Sequence, residues 1–409
     1  MSRAHTTVLS IEQGVDYDGV DEDELPYKHV RNLGHRHSGT VEEVEDQITG
    51  KAYARKTIRI TGSKSDRAER TRVFRNEVHI IRRLESHPHI ISVHATYVTK
   101  RVFGILLQPV ASEGDLEEFL AEYAREAELE EEHAMPNGRI AAMKLIILQD
   151  FGCLAGGLAF MHQKKIRHKD IKPRNILVDK GSFIYTDFGY SFDSNGFMQS
   201  TTEGRPDYLT RRYSAPEVLQ HDRRNSKPDV YSLGCVFIDM VSALCPSLII
   251  DGISCFAHNM EQLHSQLLHL EVEKGLNLVT EIVVRMTARE SSHRICSTHI
   301  AKQLQEHNDL CCRECMESLV PESSELLKHE NCIAPPTADT SHGWAFIQVV
   351  DGSALAGSEV GSNLTPSEAS GDQQEADLSV VRQNAFGRLE HAEYPLSEGK
   401  VEKEEETDL

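Results

Sequence analysis

Short runs in which apolar and polar residues alternate occupy residues 27–60, and Gly34, Gly39 and Gly50 interrupt them. A period of two punctuated by turn formers predicts an antiparallel sheet of short strands. The period then changes. Val73, Asn76, Glu77, Ile80, Ile81 and Leu84 recur at helical spacing and Pro88 follows, so a helix is expected over 72–84. Two further strand-like runs, 91–98 and 102–110, complete a first half, and Gly114 and Asp115 open a glutamate-rich helix. The acidic run 128–133, leading into Pro136-Asn137-Gly138, reads as a solvated loop insertion. Residues 141–161 are the most apolar stretch, but Lys144, Gln149 and Asp150 within it are too costly for a bilayer centre. A buried helix over 140–161 and no membrane insertion are therefore expected. Helical patterns at 229–244 and 276–289 make the second half mainly helical.

The flanks carry no such periodicity. Residues 1–26 hold Asp16, Asp18, Asp21, Glu22, Asp23 and Glu24 and are expected to be an acidic flexible leader. Residues 306–409 are expected to be an acidic, largely disordered tail, rich in Ser, Gly, Glu and Asp beyond residue 335 and available to regulators. Of the formal charge of −20, the last 77 residues supply more than half, with 15 Asp and Glu against 4 Lys and Arg. Such a balance argues against nucleic acid as a partner, because counterion release from phosphates needs clustered cations. The start lacks the apolar segment of a secretory signal. Nine scattered cysteines suggest reduced thiols without disulfides and a cytoplasmic or nuclear location. Cys312, Cys315, His329 and Cys332 form a weak zinc pattern, since the helical-looking residues 316–327 between them offer no turn chemistry.

Three segments carry chemistry. Leu33-Gly34-His35-Arg36-His37-Ser38-Gly39-Thr40-Val41 places glycines at a strand-to-strand turn, where backbone N–H groups can approach phosphate. Ala54-Arg55-Lys56 is followed 21 residues later by Glu77 on the expected helix, a spacing that lets a carboxylate fix an ammonium. The sharpest is His168-Lys169-Asp170-Ile171-Lys172-Pro173-Arg174-Asn175 followed by Tyr185-Thr186-Asp187-Phe188-Gly189. One carboxylate there can serve a hydroxyl, while the other carboxylate and the amide suit hard cations. Apolar Ile176-Leu177-Val178 fits a strand buried beside the site.

At these residues the sequence resembles the eukaryotic protein kinases, serine/threonine branch, over roughly residues 27–305. The resemblance implies an α+β bilobal fold, with a small antiparallel-sheet lobe carrying one helix (about 27–110) and a larger, mainly helical lobe (about 111–305). It implies ATP and Mg2+ as cofactors and proteins as substrates. By the same resemblance Gly34 and Gly39 would cover the phosphates, while Leu33, Val41, Ala54, Leu107 and Leu177 would line the nucleotide pocket, with Gln108 and Val110 in the hinge. Lys56 would hold phosphate and pair with Glu77. Asp170 would be the base, Lys172 would steady the transferred group, and Asn175 and Asp187 would be the metal ligands. Ala215-Pro216-Glu217 resembles the end of the activation segment, Arg294 the partner of Glu217, and Asp229 the prop of the catalytic loop. Thr210 is expected to bridge Asp170 and Lys172, which with Lys172 itself favours serine and threonine acceptors.

The chain departs from the family pattern at two positions. Arg36 stands at the second glycine of the phosphate loop, and Lys169 stands where arginine is common. Phosphorylation at Ser200, Thr201 or Thr202 is expected to raise activity. The alternative reading is a kinase-shaped scaffold that binds partners and catalyses little.

Overall fold

The sheet of the first half begins earlier than its alternating pattern predicts. The computed structural model describes residues 8–36, 39–133, 138–194, 210–222 and 224–317, with residues 35, 36, 131–133 and 274 as backbone only. Within the leader, β1 (Asp16–Asp18) pairs in parallel with β5 (Ser92–Val98), and Ile11 and Val20 are buried. The expectation of a flexible acidic leader is corrected for residues 8–26. Asp16 accepts two hydrogen bonds from Arg82 (2.8 and 2.6 Å) and one from the Thr96 hydroxyl. The side chain that suggested solvation is therefore the one that fastens the strand.

The other strands run antiparallel: β2 (Tyr27–Arg36), β3 (Gly39–Asp46), β4 (Ala52–Arg59), β5 and β6 (Val102–Gln108), in the spatial order β1-β5-β6-β4-β3-β2. Helix α1 (Lys64–Leu84) packs Phe74, Val78, Ile81 and Leu84 into the main core. It starts well before residue 72 because Ser63 and Asp66 form a capping box, with the Ser63 amide donating to Asp66 at 2.8 Å. That first stretch is polar, so apolar spacing gave no sign of it.

The second half is helical. Its elements are α2 (Leu116–His133), α3 (Gly138–Gln163), β7 (Ile166–Arg167), β8 (Ile176–Asp179), β9 (Ser182–Tyr185), β10 (Phe192–Asp193), α4 (Pro216–Leu219), α5 (Lys227–Leu244), α6 (Phe256–His269), α7 (Lys274–Met286), α8 (Ser297–Gln305) and α9 (Arg313–Glu317). The acidic run 128–133 is the end of α2 rather than a loop. Glu and Ala are strong helix formers, and Arg139 of α3 pairs with Glu122 and Glu126 of α2. By length and composition α3 could cross a bilayer, yet its apolar window is 78% buried inside the protein, which makes it the central core helix.

The packed body also continues past residue 305. Leu310, Cys311 and Cys315 are each at most 2% exposed, so residues 306–317 are corrected from tail to lobe. Residues 318–409, including the acidic terminus, lie outside the described residues. Seven described cysteines are free thiols.

Candidate active site

The catalytic segment hangs between short strands. β7 pairs with β10, and β8 with β9 in a hairpin whose second strand leads into Asp187. His168 and Lys169 turn sharply, Lys169 at φ +69°, and both backbone amides donate to the Asp229 carboxylate at 2.8 and 2.9 Å. Asp229 lies in the first turn of α5 and is buried; His162 Nε2 lies 3.2 Å from its Oδ2, the oxygen that also accepts from the His168 amide. Burial alone would raise this carboxyl's pKa, but the His162 contact, nearby imidazole charge and the Lys169 amide outweigh it and hold the group below the usual range. A buried anion thus fixes a strained loop from beneath.

Above it the side chains of the loop meet. Asp170 Oδ2 accepts from Lys172 Nζ at 2.8 Å and from Asn175 Nδ2 at 2.9 Å, and Asp170 Oδ1 accepts from the Thr210 hydroxyl at 2.8 Å. Lys172 Nζ also reaches Thr210 Oγ1 at 3.2 Å. The carboxylate is thereby locked in one orientation.

The two chemistry-bearing segments are joined through Thr186. Its amide donates to the Asn175 carbonyl at 3.0 Å, and its own carbonyl accepts from His168 Nε2 at 3.1 Å. Asp187 follows in the left-handed conformation (φ 62°, ψ 68°), and Phe188 is fully buried with its ring 4.8 Å from that of His168. The residue type matters here, since Asp tolerates this backbone better than most non-glycine residues.

Lys56 on β4 is 2.6 Å from Glu77 on α1 and 2.9 Å from Asp187. Burial would strip its proton, but the Asp187 and Glu77 carboxylates win and hold the ammonium above the usual lysine range. Burial pushes Glu77 in turn above the ordinary carboxylate range, against the pull of Lys56.

The remaining predicted residues sit around this centre. Val41 stands opposite Lys56 and Ala54 opposite Leu107 in the sheet register. Leu33, Val41, Val110 and Leu177 are half-buried against the main core, and the Gln108 carbonyl, at the end of β6, accepts from Ser92. Gly34, at φ +143°, pairs with Val41. A Cβ on Gly39 would lie 2.1 Å from the Thr57 carbonyl oxygen, so only glycine fits between β3 and β4 there. The Arg36 side chain and Ser200, Thr201 and Thr202 lie outside the described residues. Arg294 forks onto Glu217 at 2.5 and 2.8 Å, as the sequence pairing implied.

The donor chemistry fits a nucleotide held with a hard divalent cation. Asp187 and Asn175 offer a carboxylate and an amide oxygen; with Nδ2 committed to Asp170, the carbonyl oxygen is the atom that Asn175 can offer a cation. Lys56 supplies a fixed cation for phosphate oxygens. Two groupings go beyond the sequence reading, which had only Cys312 and Cys315 of the second. One is Arg212 and Tyr213 holding Asp239 (3.2 and 2.8 Å), and the other is a thiol–imidazole cluster beneath α3.

With this geometry in view, comparison with known proteins is direct. Residues 27–310, well over half the chain, match the protein kinase domain family, and the chain belongs to that family. It is 31% identical over 223 residues to "Probable serine/threonine-protein kinase MARK-B" of Dictyostelium discoideum, covering 53% of this chain and 27% of that one. It is 30% identical over 224 residues to "Death-associated protein kinase 2" of Mus musculus (53% and 54%), and 25% identical over 260 residues to "MAP kinase kinase kinase wis4" of Schizosaccharomyces pombe (60% and 17%). The chain therefore spans about half or less of the length of these curated relatives.

Proposed function

We propose that this protein transfers the γ-phosphoryl group of ATP to serine or threonine hydroxyls of other proteins, in the cytoplasm or nucleus. The observation that carries the reading is the lock on Asp170 by Lys172, Asn175 and Thr210, next to a Lys56–Glu77–Asp187 ion cluster. Asp170 orients the incoming hydroxyl and accepts its proton as the bond to phosphorus forms. Lys172, already in contact with that carboxylate, neutralises charge on the transferred group, and Lys56 anchors the phosphates of the leaving nucleotide. Asn175 and Asp187 would hold Mg2+, which would supply positive charge to offset the charge developing on the phosphate oxygens. The serine/threonine preference rests on Lys172 and Thr210 and on the names of the relatives.

The test is incubation with labelled ATP, magnesium and a generic protein substrate, beside an Asp187→Ala control. Label on serine and threonine, absent from the control, supports the proposal; label no higher than the control would favour the scaffold reading.

A further inference from the structure

Helix α3 carries a close approach that its own packing does not explain. A Cβ on Gly152 would lie 2.5 Å from the Leu310 carbonyl oxygen and 2.9 Å from Cys311 Cβ, and one on Gly156 would lie 2.8 Å from the Gln305 amide nitrogen. The chain leaving α8 is thus laid flush on α3, and what it brings there is sulfur. Cys153 of α3 is fully buried, Cys315 is 2% exposed and Cys312 half-buried, and the Cys312 amide donates to Cys153 Sγ at 3.2 Å.

The fourth member comes from the first lobe. His89, 2% exposed, lies between α1 and β5. Its Nδ1 is 2.7 Å from the Phe183 carbonyl oxygen, which can only accept, so Nδ1 carries the proton; Asp150 Oδ1 is 3.6 Å from the same nitrogen. Nε2 is thus the nitrogen turned toward the sulfurs, 3.4 Å from Cys312 Sγ. An imidazole oriented from behind by a carbonyl and a carboxylate is the arrangement of a metal ligand with its supporting shell.

All four ligand atoms, Nε2 of His89 and Sγ of Cys153, Cys312 and Cys315, lie within 4.8 Å of one another. A tetrahedral zinc with three sulfurs and one nitrogen needs separations of about 3.5–3.8 Å between ligand atoms, reachable by small rotamer changes.

We propose that His89, Cys153, Cys312 and Cys315 bind one structural Zn2+ that staples the segment following α8 to the core helix. Soft thiolates select against Mg2+ and Ca2+, and a complete set of four protein ligands leaves no open position for catalysis. Binding expels the three thiol protons to solvent, leaving three thiolates and a neutral imidazole on the ion. The staple also bears on the active site through the backbone. The Tyr185 amide donates to the His89 carbonyl at 2.9 Å and the Ile91 amide to the Tyr185 carbonyl at 3.0 Å, on the strand that ends two residues before Asp187. The site stands whether or not the chain transfers phosphate. His329 and Cys332, grouped with Cys312 and Cys315 by spacing alone, lie outside the described residues.

The experiment is metal analysis of the untagged full chain after removal of loose metal, with zinc release followed by a chromogenic chelator while a mercurial blocks the thiols. About one zinc per chain is expected, leaving in proportion to thiol blockade. The Cys312→Ser, Cys315→Ser double variant should lose it, whereas Cys255→Ser, buried elsewhere, should keep it. Because the mercurial titration uses the unaltered protein, misfolding of the double variant cannot mask the result. Less than a tenth of an equivalent of zinc in the parent, iron in its place, or full zinc in the double variant would each overturn the proposal.

Discussion

Lys56 Nζ stands 2.6 Å from Glu77 Oε1 and 2.9 Å from Asp187 Oδ1, so one buried ammonium ties a strand and a helix of the first lobe to the segment that follows β9. Replacing it by Met leaves two carboxylates facing each other with no counter-charge, a loss on the order of 3–5 kcal/mol. Adding Glu77→Leu removes one of them and should recover much of the stability. Phosphoryl transfer should be lost in both variants. Urea denaturation and a phosphorylation assay would separate the two effects. A Lys56→Met protein as stable as the parent would contradict the buried ion cluster.

The site was legible because its residue types have few substitutes. A left-handed Asp187, a paired Lys56 and a glycine wedged against Thr57 each need one side chain, and each appears at the spacing the loops impose. Other features were hidden for physical reasons. The leader's charge suggests solvation, yet Asp16 is consumed by Arg82 and Thr96, and Ile11 and Val20 are too few to show a period. The cap at Ser63 precedes a stretch in which Ala68 is the one apolar residue before Val73. His89 and Cys153 belong to separate elements, one reading as a turn and the other as helix core, so only the fold brings them to Cys312.

The leader supports the sheet edge through Ile11, which lies in a small core with Val44, Tyr53, Ala95, Tyr97 and Leu106. Ile11→Ala should cost about 2–4 kcal/mol, against less than about 0.5 kcal/mol for an alanine at exposed Glu12. Comparing denaturation midpoints tests this; equal midpoints would return the leader to the flexible class.

Thr210 is a positioning residue for Asp170, donating to Oδ1 while its oxygen contacts Lys172. Thr210→Val keeps the shape and removes the hydroxyl, so kcat should fall by about 10–100-fold with KM for ATP little changed. Thr210→Ser should restore most of the rate. Loss of rate in the serine variant as well would mean that packing, not the hydrogen bond, is what matters.

Arg294 meets Glu217 through a two-pronged contact while also donating to the Ala288 and Arg289 carbonyls, and its guanidinium lies 4.9 Å from the Tyr231 ring centre. Removing it strands a carboxylate and, with the Lys227 carbonyl, three backbone carbonyls at once. Arg294→Ala should destabilise by about 3–5 kcal/mol, and Arg294→Lys should recover only part of that, because an ammonium cannot reproduce the planar fork. Guanidinium unfolding of the three proteins gives the ranking directly.

Asp239 yields a pH signature. It accepts from Arg212 and the Tyr213 hydroxyl, yet burial dominates and pushes its carboxyl up from 3.8 to about 6. The folded chain therefore keeps this proton up to about pH 6, whereas the unfolded chain releases it near 3.8. Between those values the folded state binds more protons, so this group's contribution to stability declines as pH rises through the window and is level above it. The full decline is on the order of 3 kcal/mol at roughly 1.4 kcal/mol per pH unit of separation. Asp239→Asn cannot titrate, so its stability relative to the parent should improve between about pH 4.5 and about pH 7, even though it weakens the Arg212 contact at both. Urea unfolding of the pair at the two pH values measures that difference. A gap that stays constant would mean Asp239 ionises in the folded protein as it does in the unfolded chain, with Arg212 offsetting the cost of burial.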